Sequence, residues 1–83
     1  MKNHSIITVK EWLFDKINET ARDYHVYLIG ESKDDMLDHT KLRVLEVLGE
    51  TEKAYKVALD AETSGGNPKA WTAWLPKSAI VEM

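Results

Sequence analysis

Cysteine is absent from the 83 residues, which removes disulfide staples, thiolate zinc sites and cysteine nucleophiles together. Proline occurs twice and glycine four times, so regular structure runs with few interruptions. Apolar runs are short. None approaches the roughly 18 residues of a membrane-spanning helix. The start Met1-Lys2-Asn3-His4-Ser5 leads into only two isoleucines, too few for a signal-peptide core, so a cytoplasmic setting is expected. A basic excess is also missing: 11 Lys and Arg stand against 14 Asp and Glu, a net charge of -3, which argues against nonspecific phosphate tracking.

Catalytic fingerprints are missing too. The serines at 5, 32, 64 and 78 lie in no Gly-x-Ser-x-Gly setting, and no P-loop, dinucleotide or His-Glu-x-x-His pattern occurs. Gly65-Gly66 lacks the lysine and helix of a phosphate cradle and reads as a hairpin loop. These absences point to a binding protein and not an enzyme.

What remains is 43% hydrophobic and 30% charged, the composition of one folded domain spanning residues 1–83. A chain this short buries about 60 to 65% of its unfolded surface, so its stability margin is thin. Thr8-Val9-Lys10-Glu11 reads as a capping box, with Ile7 and Trp12 spaced as a hydrophobic staple. Val9, Trp12, Leu13, Ile17, Ala21 and Tyr24 continue an apolar stripe, which predicts an amphipathic helix over residues 9–23. The run His25-Val26-Tyr27-Leu28-Ile29-Gly30 is β-prone but too short to assign. Ser32 followed by Lys33, Asp34 and Asp35 reads as an N-cap, predicting a short second helical turn that ends near His39.

From Lys41 onward β-formers dominate. Residues 42–48 read as a strand that ends at Gly49-Glu50-Thr51-Glu52. Tyr55, Val57 and Leu59 alternate with polar or small residues, and a turn at residues 63–68 joins this strand to another at 69–75. Pro76 stops it, and residues 77–83 fit a short turn and a terminal strand. The expected fold is α+β: an N-terminal amphipathic helix, a short second helical turn, and a C-terminal antiparallel sheet of three or four strands.

Three constellations bear on function. Asp35 and His39 lie one helical turn apart on the expected second turn and could face one divalent ion such as zinc or manganese. Asp38, His4 or His25 would be the third ligand. A metal-dependent hydrolase on Asp35, Asp38 and His39 is the catalytic version of this idea; helix-dipole compensation explains the same residues without metal. Glu11, Asp15, Glu19 and Asp23 recur every fourth residue as an acidic stripe, softened by Lys16 and Arg22. With Glu31 and Asp34 it offers an acidic surface to a basic, nucleic-acid-binding partner; otherwise it is a solvated face. Trp71 and Trp74 sit three apart on one strand and so point to opposite faces. One can enter the core, while the other covers a second apolar layer, anchors a partner, or joins Tyr55, Lys56, Lys69 and Lys77 in a stacking platform for single-stranded nucleic acid.

The segments Glu50-Thr51-Glu52-Lys53-Ala54 and Trp74-Leu75-Pro76-Lys77-Ser78-Ala79-Ile80 resemble small proteins carried by phages and mobile elements of Gram-positive bacteria. The likeness covers about 40 residues. This chain departs from that group in its longer loop and the additional Trp71. The ending also looks like the closing strand, turn and strand of Src-homology-type small barrels, which favours a curled antiparallel sheet. The phage likeness implies an anti-CRISPR-type inhibitor that binds a host RNA-guided nuclease in the bacterial cytoplasm. A single-strand-binding accessory of phage recombination is the alternative.

Overall fold

The computed structural model describes residues 1–33 and 36–83, and the side chains of residues 1–30 and 39–83. The chain runs β1 (Ser5–Lys10), α1 (Glu11–Arg22), β2 (Val26–Leu28), β3 (Gly30–Lys33), β4 (Met36–Glu50), β5 (Ala54–Thr63), β6 (Pro68–Pro76), a 3-10 turn (Lys77–Ala79) and β7 (Ile80–Glu82). Seven strands among the described residues form one antiparallel sheet, and α1 lies across one face of it.

This architecture overturns the expected helix-first chain with a three- or four-stranded C-terminal sheet. Sheet begins at Ser5, and the described part of the expected second helical turn is strand, since β3 and β4 occupy Gly30–Lys33 and Met36–Glu50. The reason is visible at Thr8. Residues 6–9 are four β-branched side chains in succession, which favour extended backbone over helix. Thr8 is buried in β1, with Lys41 of β4 on one side and Glu82 of β7 on the other. The helix starts two residues later than expected, at Glu11, with no side-chain cap on Lys10.

Strand β4 organises the sheet. Its first half pairs with β1 on one edge and β3 on the other, and its second half pairs with β5 past register shifts near Leu45 and Leu48. Such shifts bend a strand and increase its twist. Between β4 and β5 a fork opens, and β2 and β3 fill it. Leu28 is opposite Ala61 of β5, Gly30 is opposite Leu42 of β4, and the intervening Ile29 donates its N–H to the Asp60 carbonyl at 3.2 Å.

The core lies between α1 and the inner sheet face. Leu13, Ile17 and Ala21 meet Ile7, Val9, Leu42, Val44, Leu59 and Leu75, all buried. The β5–β6 hairpin expected from alternation is present over nine residue pairs without a register shift. At its turn Gly66 takes φ +82, the left-handed region open to glycine, and donates to the Thr63 carbonyl at 2.8 Å. After β6 the 3-10 turn is tied back by the Lys77 N–H to the Lys53 carbonyl (2.8 Å) and by Lys77 Nζ to Glu50 Oε2 (2.6 Å). The hydrogen bond from Lys77 to Glu50 raises the lysine above its ordinary pKa, and its ammonium sits 4.9 Å from the Tyr55 ring centre.

Candidate interaction groove

Helix α1 is held differently on its two sides. Toward β2 and β3 it is sealed: Asn18 Oδ1 accepts the Leu28 N–H at 3.1 Å, and the Phe14 ring lies against Gly30. A Cβ at Gly30 would stand 2.5 Å from Phe14 Cε1 and 3.0 Å from Thr40 Cγ2, so the bare glycine backbone is what admits the ring. Toward β6 the helix stands off, leaving an open groove of about 420 Å³.

All three tryptophans line this groove, with Leu13, Lys16, Ile17 and Thr20 from the helix and Thr72, Ala73 and Pro76 from β6. Strand alternation brings Trp71 to the helix-facing side of β6, while Trp74 borders the groove from the other face of this edge strand. Trp71 is opposite the core residue Leu59 and faces inward, half-buried, with the Tyr24 ring centre 5.7 Å away and tilted 43°. Trp74 is opposite Lys56 on the outer face and is 51% exposed. Trp12 comes from the helix and is 53% exposed, so the expected staple with the buried Ile7 leaves its indole open to solvent. Large aromatic rings kept half in water are the side chains that most often anchor a partner.

The acidic stripe borders the groove. Trp12, Lys16 and Thr20 form the lining row of α1, and Asp15, Glu19 and Asp23 form the next row, each three residues further on and exposed. Glu11 is partly buried in the first helical turn, beside a depression that also takes in Lys10, Trp12, Asp15 and His39. Glu31 is in β3, opposite Lys41, and its side chain lies outside the described residues, as does Asp34 altogether.

The expected metal constellation loses its helical basis. His39 belongs to β4, opposite Lys10 of β1, and not to a helical turn. Asp35 and the side chain of Asp38 lie outside the described residues. His4 and His25 occupy separate left-handed turns with φ 56 and 59. Among the described residues no three His, Asp or Glu side chains converge on a common point. The stacking platform is also divided. Lys56 neighbours Trp74, but Lys77 is bound to Glu50 and lies over Tyr55, and Lys69 is near the hairpin end.

Reasoning from sequence missed Trp12, Lys16 and Thr20 as groove residues. Their i, i+4, i+8 spacing along the border of the Leu13, Ile17, Ala21 stripe is the signal that marks them. Among the described residues no helix is long and apolar enough to cross a membrane. No protein-family model matches this chain, and no curated protein or solved structure matches it.

Proposed function

We propose that this chain is a stoichiometric binding protein, with no chemistry of its own, that docks a basic protein partner against the tryptophan groove and the acidic row of α1. The observation that carries this reading is the meeting of three indoles, two of them half exposed, in one groove bordered by Asp15, Glu19 and Asp23. Indoles bring large contact area at small entropic cost and dominate the energetics of many interfaces. The carboxylates steer a positive surface toward the groove and make the association salt-sensitive.

The partner class comes from the likeness to small phage proteins. It is a nucleic-acid-handling host protein in the bacterial cytoplasm, first of all an RNA-guided nuclease, whose heteroduplex channel is positively charged. Inhibition then follows from occupying a surface that nucleic acid needs. Calorimetric titration of a purified nuclease–guide complex tests this, with target cleavage as a second readout. Saturable one-to-one binding that weakens with salt and with the paired changes Asp15→Lys and Glu19→Lys supports it. Binding indifferent to both removes the acidic row from the account.

One observation favours a second reading, a single-strand-binding accessory: Lys56 is directly opposite the exposed Trp74. That reading requires quenching of tryptophan fluorescence by a short oligothymidine and a steep loss of affinity with salt.

A further inference from the structure

Among the described residues β2, β3, β6 and β7 each pair on one side only, and β6 and β7 are very different edges. Strand β7 is three residues long and contains Glu82, so it offers little for another chain to pair with. Strand β6 is nine residues long, pairs among the described residues only with β5, and keeps an unbroken register over its whole length. Its outer-face residues Ala70, Thr72 and Trp74 are exposed. No charge interrupts residues 70–75. A regular uncharged stretch such as 70–75 is a template for a further strand; charges, prolines, bulges or brevity are the usual ways of preventing that, and here Lys69 and the two prolines lie only at the ends of the strand.

We propose that β6 is a self-association edge, at which a second copy of this chain adds its own β6 antiparallel and continues the sheet across a two-fold axis. Facing residues of such a pair share a sheet face, which restricts the axis to registers of matching parity. An axis at Thr72 suits this sequence, because Thr72 is the midpoint of Pro68–Pro76 and the two strands then overlap completely.

In that register large faces small on both sides of the sheet. On the inner face Trp71 is opposite Ala73 of the second copy, and on the outer face Trp74 is opposite Ala70. An axis one residue further on would instead oppose Lys69 with Lys77. The charge pattern favours a second copy as the occupant. Residues 70–75 of each copy are neutral, and the only charge within the strand, Lys69, faces Leu75 and not another charge. The axis is normal to the sheet, so the two tryptophan grooves come to lie on the same face.

Two copies that each carry -3 repel weakly elsewhere on their surfaces, so this association tightens as salt rises, the opposite of the trend for a basic partner. The test is sedimentation equilibrium of the full chain over a concentration series at low and high salt. The expected result is twice the 9.5 kDa chain mass, with a dissociation constant raised at least about tenfold by Thr72→Lys, which sets two ammonium groups face to face on the axis. Register is read independently of that variant. Directly opposed antiparallel residues lie within disulfide range, so Thr72→Cys, in a chain with no other cysteine, cross-links to dimer on mild oxidation while Lys69→Cys does not. A wild-type chain at monomer mass up to about 1 mM, or a dimer that Thr72→Lys leaves unmoved, overturns the proposal.

Discussion

The two flanks of α1 are built to opposite specifications. On the β2 side a glycine gives the Phe14 ring its seat and a helix asparagine satisfies a strand amide, so the contact is closed by shape and by hydrogen bonding. On the β6 side the chain supplies its three largest side chains and still leaves space between helix and strand. Burying an indole there would stabilise a small domain whose margin is thin, by about 1.5 to 3 kcal/mol for a side chain of that size. Leaving two indoles half in water forgoes that gain, which is the pattern of a surface kept for something else.

The largest effect is expected on the sealed flank. Gly30→Ala drives a methyl group into Phe14 and Thr40 and should destabilise the fold by about 1 to 3 kcal/mol in urea unfolding. Combining it with Phe14→Leu should return part of the loss, whereas strictly additive losses would mean that the ring is not the obstacle. Next comes Asn18→Ala, which strands the partly buried Leu28 N–H and should cost about 1 kcal/mol, with faster hydrogen exchange at that amide.

On the open flank the ordering reverses. Trp74→Ala should change stability by less than about 1 kcal/mol while weakening partner binding at least about tenfold, so the melting curve and the titration separate the two roles. A loss of stability like that of Gly30→Ala would make Trp74 a packing residue and erase the contrast. The smallest effect lies in the turn between α1 and β2. His25 holds a left-handed φ of 59 after α1, and His25→Gly should raise stability by about 0.5 to 1 kcal/mol by relieving it.

A control touches neither flank. Lys77 has its pKa raised in the folded chain by the bond to Glu50, so this tether contributes fully below the ordinary lysine value and is lost as pH rises through the raised one. Lys77→Met should therefore flatten the alkaline limb of the stability profile and leave neutral-pH binding alone.

Local pattern made the C-terminal half legible. Alternation at Tyr55, Val57 and Leu59 and the turn at Gly65-Gly66-Asn67 concern neighbours along the chain, and they yield the β5–β6 hairpin directly. The helix core of Leu13, Ile17 and Ala21 was legible for the same reason. Thr8 and Glu11 imitate a capping box, but the decisive partners of Thr8 are Lys41 and Glu82, far along the chain, and pairing on both edges outweighs one cap. Ser32 and the acids after it imitate a helix start in the same way, while β4 takes its form from β1, β3 and β5 at once. The acidic row was readable from spacing alone. The groove was not, because it depends on the distance at which α1 stands from β6, which no single segment encodes.

The most direct measurement is calorimetric titration of the purified nuclease–guide complex with wild-type chain beside a Trp12→Ala/Trp74→Ala double variant of matched melting temperature. Saturable binding by wild type and a loss of at least about thirtyfold in the variant are expected, the scale of a tryptophan hot spot of about 2 kcal/mol. Wild-type affinity in the double variant, or no binding by the wild-type chain at all, would contradict docking at the tryptophan groove.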